Sequence, residues 1–499
     1  MSVSIFIGIY YRFSGGRQRT AAEYFSADNS MGIFPLAVAM MASQISAVSM
    51  LGMSGETYIR GSTIVFLYIC SIFVIPIISF CHLPVFFEIK VVSIYELQQE
   101  IFARHKFTYS LKLKQFLVSC CQYLEKRFGL YMRLLVSAAN FTETMLLTGV
   151  MLYAPSLALE ATTGLSSTMS ILILAIICTF YSTIGGIKAV LVTDIFQGFL
   201  MFIALGTIIG IIAMNIDDGI IGIWRIAQED NRLDFSNWSL DPTIQYTCWS
   251  TLLGGAAIFL SFFAVNQVQI QRLMTTKKLK VARQALLWCT PLIVLIGVLT
   301  CFAGLSIYAV YRNCDPVASG KINTYDKILP YFSAERLTPG VVGIIVSGIF
   351  SASLSTISAM MNSLAAVALE DYVKPLHRKF GADFSDQKAT FTAKALTLIN
   401  GVICLFLALI AKTMGTLVVI AISIHGAIGG PILGIFTLGM FSETANELGT
   451  IIGMITALVV CLWAAFGKPK PPIPSLPVSI EGCANSTMLM LADQVSSNR

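Results

Sequence analysis

Apolar runs of about 20 residues recur along the whole chain, each long enough for a helix to cross a hydrocarbon layer. No water reaches a peptide group there, so each segment must close its own hydrogen bonds, as a helix does. The runs fall at 33–54, 62–82, 130–155, 168–184, 188–213, 247–271, 285–311, 338–368, 392–413, 416–440 and 447–466. That makes eleven spans, with a short apolar stub at 2–11 in front of them. The 499 residues are 56% hydrophobic and only 12% charged, with a mean hydropathy of +0.76, a composition foreign to soluble proteins of this size. The expected class is an all-α polytopic membrane protein. The opening "MSVSIFIGIYYRF" is too short for a full span and lacks a small-residue cleavage site, so it does not read as a signal peptide. The net charge of +6 fits loop topology better than a nucleic-acid partner.

The loops alternate in charge. One set carries Arg12, Arg17 and Arg19; Lys106, Lys112, Lys114, Lys126 and Arg127; Lys277, Lys278, Lys280 and Arg283; and Lys374, Arg378, Lys379 and Lys388. Basic loops stay in the cytosol, so loops 12–32, 83–129, 273–284 and 369–391 are expected there, with the N-terminus and loop 214–246 outside. Two glycosylation sequons, at Asn237 and Asn485, fall in expected outside segments, whereas the one at Asn140 lies within a span and should be unused. Multi-pass insertion in the plasma membrane follows as the expectation. The Pro-rich tail 467–499 should also lie outside, and the chain reads as trimmed at both ends. The 12 cysteines are scattered without metal-like spacing and read as buried free thiols.

Within the span 338–368, "SASLSTIS" (351–358) holds five hydroxyl residues. On a helix Ala352, Ser355 and Thr356 share a face. Small residues there serve either helix packing or a ligand site. A second stretch, "MASQISAVSMLGMSG" (41–55), interrupts the first span with Ser43, Gln44, Ser46 and Ser49, followed by Gly52 and Gly55. This pattern suggests local unwinding, which is tolerated at membrane depth only where protein or a cavity covers the backbone. Freed carbonyls from one helix and hydroxyls from another would form a neutral oxygen cage suited to a monovalent cation. A third interruption, "GGAAIFLSFFAVNQVQIQR" (254–272), comes five spans later, so a pair of inverted repeats with a site between them is expected. Asp194 is an intramembrane carboxylate and hence a functional candidate, or else a structural acid satisfied near Lys188. Glu143 calls for pairing or local hydration. His425 reads as a packed core histidine rather than a proton relay.

The stretches "EYFSADNSMG" (23–32), "MASQISAVSMLG" (41–52), "YSTIGGIKAVLVTDIFQ" (181–197), "NQVQIQR" (266–272) and "SASLSTISAMMNSLAAVALEDYV" (351–373) together resemble the solute:sodium symporter family over nearly the whole chain. Within it, "GGIKAVLVTDIFQ" and "NSLAAVALEDYVKP" are similar to the branch of iodide, monocarboxylate and multivitamin transporters. The resemblance implies a LeuT-type bundle of five plus five helices. The first repeat would be 33–213, the second 247–440, an added helix 441–466, and 1–32 a truncated first helix with its loop. It further implies a sodium ion held by the carbonyls of Ala42, Ile45 and Ala352 and the hydroxyls of Ser355 and Thr356. Asp194, Gln197 and Ser353 would support coupling. Phe262 would be the inner gate, and Gln44, Ser46, Ser49, Phe263 and Gln267 would line a solute pocket between 44–50, 259–267 and 416–431. One departure is the insert 97–122, whose end "FLVSCCQ" is what a pyrimidine-rich tract ending in CAG would encode, so it reads as a retained intron in a cytosolic loop.

The expected function is sodium-coupled import of a small organic anion, a monocarboxylate or a vitamin carboxylate, by alternating access, with sodium as the co-transported ion and no organic cofactor. An iodide-like anion comes next as substrate. A channel or a transport-dead sensor on the same scaffold is the rival class. An enzyme is disfavoured, because the chain has four histidines, far apart in sequence.

Overall fold

A computed structural model describes residues 6–7, 31–91, 121–241, 244, 246–380, 385–413, 415–468 and 474–483. Most of the stub, the loop 12–30, residues 97–120 of the insert and Asn485 lie outside the described residues. The principal helices are α1 (Ile33–Gln44), α2 (Val48–Arg60), α3 (Ser62–Phe87), α4 (Leu130–Thr163), α5 (Ser167–Asn215), α6 (Cys248–Val265), α7 (Gln267–Leu273), α8 (Leu279–Tyr311), α9 (Ile328–Arg336), α10 (Pro339–His377), α11 (Gln387–Ala411), α12 (Leu417–Phe441) and α13 (Glu447–Phe466). Nine of the described helices are long and apolar enough to cross a membrane, and the pair α1–α2, bent by 61°, makes a tenth.

The spans expected at 168–184 and 188–213 both lie in helical backbone within Ser167–Asn215, α5, and Val190–Asn215 is long and apolar enough to cross a membrane by itself. Within the expected interruption 254–272, Gly254-Gly255 leaves α6 helical. A Cβ on Gly255 would stand 2.9 Å from Cys70 Sγ and 3.0 Å from Leu67 Cα, so this glycine lets α6 lie against α3. The backbone instead turns extended at Asn266 (φ −74°, ψ 131°).

The bundle is built around helices that need neighbours. α10 packs most broadly against α5, and α4 and α11 complete that side. α8 runs along both halves of the α1–α2 pair. The approach is close: a Cβ on Gly304 of α8 would be 2.4 Å from the Ser54 carbonyl oxygen. Ser54 Oγ in turn donates across the contact to Thr300 O at 3.1 Å. These backbones touch because their interface residues are small.

At one end of the bundle the segment 474–483 straps three elements together. Leu476 N donates to Ile59 O (3.0 Å), Asp315 N to Ser479 O (2.9 Å) and Gly482 N to Asn313 O (2.8 Å). Arg232, fully buried, donates to Tyr58 O and to Pro477 O (2.7 Å), and its guanidinium lies 3.6 Å from the centre of the Tyr308 ring. A disulfide joins Cys314 to Cys483, so these two cysteines are not the free thiols that scattered spacing implied. A pair 169 residues apart leaves no local signature. Asn237 sits half-buried in the coil before α6, and Asn140 is buried within α4.

Closing so long a loop removes about 5 kcal/mol of chain entropy from the unfolded state in the loop-entropy picture. Cys314→Ser, Cys483→Ser and the double substitution are therefore expected to lose the same stability, about 2–4 kcal/mol. Melting of the detergent-purified protein checks this, and unequal losses would show that the two thiols act separately.

Candidate functional site

The break in the first span is sharp. Ile45 is extended (φ −85°, ψ 111°), and its N–H still reaches Met41 O at 3.0 Å. Its carbonyl leaves the helical ladder and meets α10: Thr356 Oγ1 lies 3.5 Å from Ile45 O and donates to Ala352 O at 3.0 Å. Ala42, Ala352 and Ser355 are fully buried, as are Ile45 and Thr356 to within a percent. Ser355 Oγ donates to Asp194 Oδ1 at 2.6 Å. The other carboxylate oxygen of Asp194 receives Arg272 at 2.6 Å, and Arg272 also donates to Ala39 O at 3.0 Å. One carboxylate thus joins α5, α7 and α10, and through Arg272 also α1. Gln269 Nε2 adds a bond from α7 to Ser43 Oγ at 3.0 Å.

Asp194 is satisfied by Arg272, from a helix 78 residues away, and by Ser355; the side chain of Lys188 lies outside the described residues. Gln197 follows one turn later on the same face of α5 and is buried. Ser353 is buried too, but about 200° round α10 from Ser355. Its Oγ has no hydrogen-bond partner and does not join the Asp194 cluster. Among the described residues no three His, Cys, Asp or Glu side chains converge as metal ligands.

The residues assigned to the solute pocket gather around the two breaks. Gln44 ends α1, half-buried, with Oε1 enclosed and without a hydrogen-bond partner. Ser46 Oγ accepts from Ser49 N at 3.4 Å at the start of α2. Asn266 caps α7 by accepting from Val268 N at 2.9 Å, which places buried Gln267 at its first position. Phe262 and Phe263 sit in the π-turn that ends α6, their ring centres 5.7 Å apart. Phe263 stacks on Phe259 at 6.0 Å.

Two constellations escaped the sequence reading. Glu143 of α4 and His425 of α12 lie 2.5 Å apart, so each supplies the partner the other lacked. Arg133 donates to Asp371 Oδ1 at 2.6 Å, and Ser137 Oγ to Asp371 Oδ2 at 2.7 Å, joining α4 to α10 near the far end from the disulfide. The signal for both was available as charge inside apolar runs, which is costly unless paired.

A profile of the Sodium:solute symporter family matches residues 24–457. A Drosophila melanogaster protein named as a candidate sodium-dependent multivitamin transporter is 44% identical over 484 residues, covering 96% of this chain and 76% of that protein. Human sodium-coupled monocarboxylate transporter 1 is 34% identical over 494 residues, covering 97% and 75%. The sodium-dependent multivitamin transporter of Oryctolagus cuniculus is 33% identical over 485 residues, covering 94% and 71%. Among solved structures, a Na+-coupled sialic acid symporter in a substrate-bound outward-open state superposes with a TM-score of 0.80 over 94% of this chain and 90% of that one, at 22% identity. That likeness is one of fold, and the fold is LeuT-type. With the profile and the relatives it makes the chain a transporter rather than an enzyme: it belongs to the sodium:solute symporter family.

Proposed function

We propose that this chain imports a small organic anion, a monocarboxylate or a vitamin carboxylate, together with sodium. The observation that carries the sodium part is the meeting of the broken first span with α10 at Ile45 O and Thr356 Oγ1. The ion would be held by the carbonyls of Ala42, Ile45 and Ala352 and the hydroxyls of Ser355 and Thr356. The hydrogen bonds suit that role. Ser355 gives its proton to Asp194 and Thr356 gives its own to Ala352 O, which leaves lone pairs on both hydroxyls for a cation. An uncharged cage favours a monovalent ion held loosely enough to leave. Bound sodium would hold α1, α2 and α10 together in the outward-open state. Solute would then bind against Phe262, which moves, and both would leave inward.

The energetics are adequate. One charge moving through 100 mV releases about 2.3 kcal/mol, and a tenfold sodium gradient adds about 1.4 kcal/mol. One sodium could therefore support a gradient of a neutral solute of several hundred-fold, by order of magnitude. With a monovalent anion one sodium is electroneutral and retains only the concentration part, so a second sodium would help. The relatives' named substrates, and the apolar Phe262–Phe263 wall, support a small or partly apolar carboxylate. Charge alternation in the loops supports an outside N-terminus in the plasma membrane. The disulfide lies on the face assigned to the outside, as expected of an oxidising compartment. Asn237 and Asn485 would be glycosylated there.

Uptake of labelled lactate, biotin and iodide, with sodium replaced by choline, tests the reading. Saturable sodium-dependent carboxylate uptake is the expected outcome; iodide uptake alone would reassign the substrate, and leak current without solute would indicate a channel. Ser355→Ala with Thr356→Ala should raise the sodium concentration for half-maximal uptake by about tenfold or more, the equivalent of at least 1.4 kcal/mol, with surface abundance little changed. Asp194→Asn should behave differently. Leaving Arg272 buried without its carboxylate costs about 3–5 kcal/mol, so surface abundance should collapse, and Asp194→Asn with Arg272→Gln should recover part of it without recovering sodium affinity. Surface labelling alongside sodium titration separates the two effects.

A further inference from the structure

Glu143 and His425 lie apart from the Asp194 cluster, each near the middle of its span. They are 1% and 6% exposed, and His425 Nδ1 is 2.5 Å from Glu143 Oε1. The other ring nitrogen, Nε2, is buried without a hydrogen-bond partner. The Ile258 carbonyl of α6 faces the ring, and the Phe262 ring centre is 6.0 Å from that of His425. The surroundings are fitted to this pair. Ser261 Oγ donates to Gly429 O at 3.0 Å. A Cβ on Gly429 would stand 2.7 Å from Ser261 Oγ and 3.0 Å from Glu143 Oε1, so only glycine lets α4, α6 and α12 close around the two side chains.

An anionic solute beside Phe262 needs a donor or a positive charge. Arg133 and Arg272 are each committed to a carboxylate, and Arg232 lies in the strapped end. His425 is the buried basic side chain next to Phe262; its Nε2 makes no hydrogen bond in this arrangement, with the Ile258 carbonyl as the competing acceptor. The geometry points to His425, in its protonated form, as the residue that receives the solute's carboxylate, with Glu143 as the residue that positions it. This rests on the carboxylate reading above and names the group that recognises it.

The chemistry of the pair sets how recognition works. With Nδ1–H held by the Glu143 carboxylate, a neutral imidazole presents an acceptor lone pair at Nε2 and the pair carries −1, which repels a carboxylate. One added proton makes Nε2–H a donor and the pair neutral. Anion binding and proton binding therefore favour one another. The packed elements offer no competing charge. Around the π-turn His425–Gly429, the rest of α12 has no ionisable residue; α13 carries Glu447 and Cys461, and α6 carries Cys248. On α4, Arg133 pairs with Asp371 and Glu160 with Lys327, and Tyr131 and Tyr153 are the remaining ionisable residues besides Glu143. Glu447 accepts from Tyr131 N. Glu143 alone of these lies within ion-pair distance of His425.

The test uses the full chain at saturating sodium, with KM and maximal rate for labelled lactate and biotin measured between about pH 6 and pH 8, where both stay ionised, and with surface copies counted. Wild-type KM should rise with pH, by several-fold over the range and by no more than about tenfold per unit. His425→Gln keeps an N–H donor at every pH and should transport with a flat KM. His425→Leu should raise KM by about tenfold or more at the acid end, with a smaller change in rate per copy. Glu143→Gln should shift the rise to lower pH, since the protonated ring loses its counter-charge. A wild type that transports carboxylates with a pH-independent KM overturns the assignment, as does a surface-expressed His425→Leu with wild-type KM and pH profile. If the wild type shows no sodium-dependent uptake of either carboxylate, the carboxylate reading falls and takes this one with it, an outcome distinct from transport that ignores position 425.

Discussion

The carboxylate of Asp194 sits where four helices would otherwise have little reason to stay in register. In lipid there is no hydrophobic drive between helices, so packing and internal hydrogen bonds must hold them. Asp194 supplies such bonds in two directions, to Arg272 on a short helix after one backbone break and to Ser355 on α10. Arg272 then reaches Ala39 O, in the helix that leads into the other break. Both broken spans are thus tied, through one buried acid, to the same pair of long helices. The charge is costly to bury and is tolerable because both of its oxygens are engaged. The break at Ile45 persists because its freed carbonyl faces hydroxyls rather than lipid.

The same rule acts again near the middle of the bundle and at one end. Glu143 with His425, and Arg133 with Asp371, bring an acidic and a basic side chain from different helices within 2.5 and 2.6 Å. Each pair links α4 to a helix of the second repeat. α4 therefore carries a ladder of fixed contacts along its length, while the breaks at Ile45 and Asn266 concentrate bending elsewhere. One long helix is thus pinned along its length while two other spans are jointed.

Much of this was legible in residue order. The apolar runs gave the helices, because hydrocarbon leaves the backbone no other choice. Gln44, Ser46 and Ser49 marked the first break to within a residue or two, because polar groups inside an apolar run have to face protein. The second break was read across 254–272, glycines and polar residues together, and lies at Asn266 within it. Gly255 works through the space it leaves for Cys70 and Leu67, not through backbone freedom, and sequence alone does not distinguish those uses. Pairing was the part that stayed hidden. Asp194 with Arg272, Glu143 with His425 and Cys314 with Cys483 each join residues 78 or more positions apart, and composition records that a charge or thiol is present without recording what it meets.

The strap at 474–483 closes a covalent ring. From Cys314 the chain passes through α9, α10, α11, α12 and α13 before returning at Cys483, so four of the bundle's spans belong to a macrocycle sewn to the tip of α8. A single peptide cut in any turn of that ring would open the loop without releasing either piece. The second half of the jointed first span, hydrogen-bonded to the same strap through Ile59, is thereby moored to a hoop rather than to a free tail.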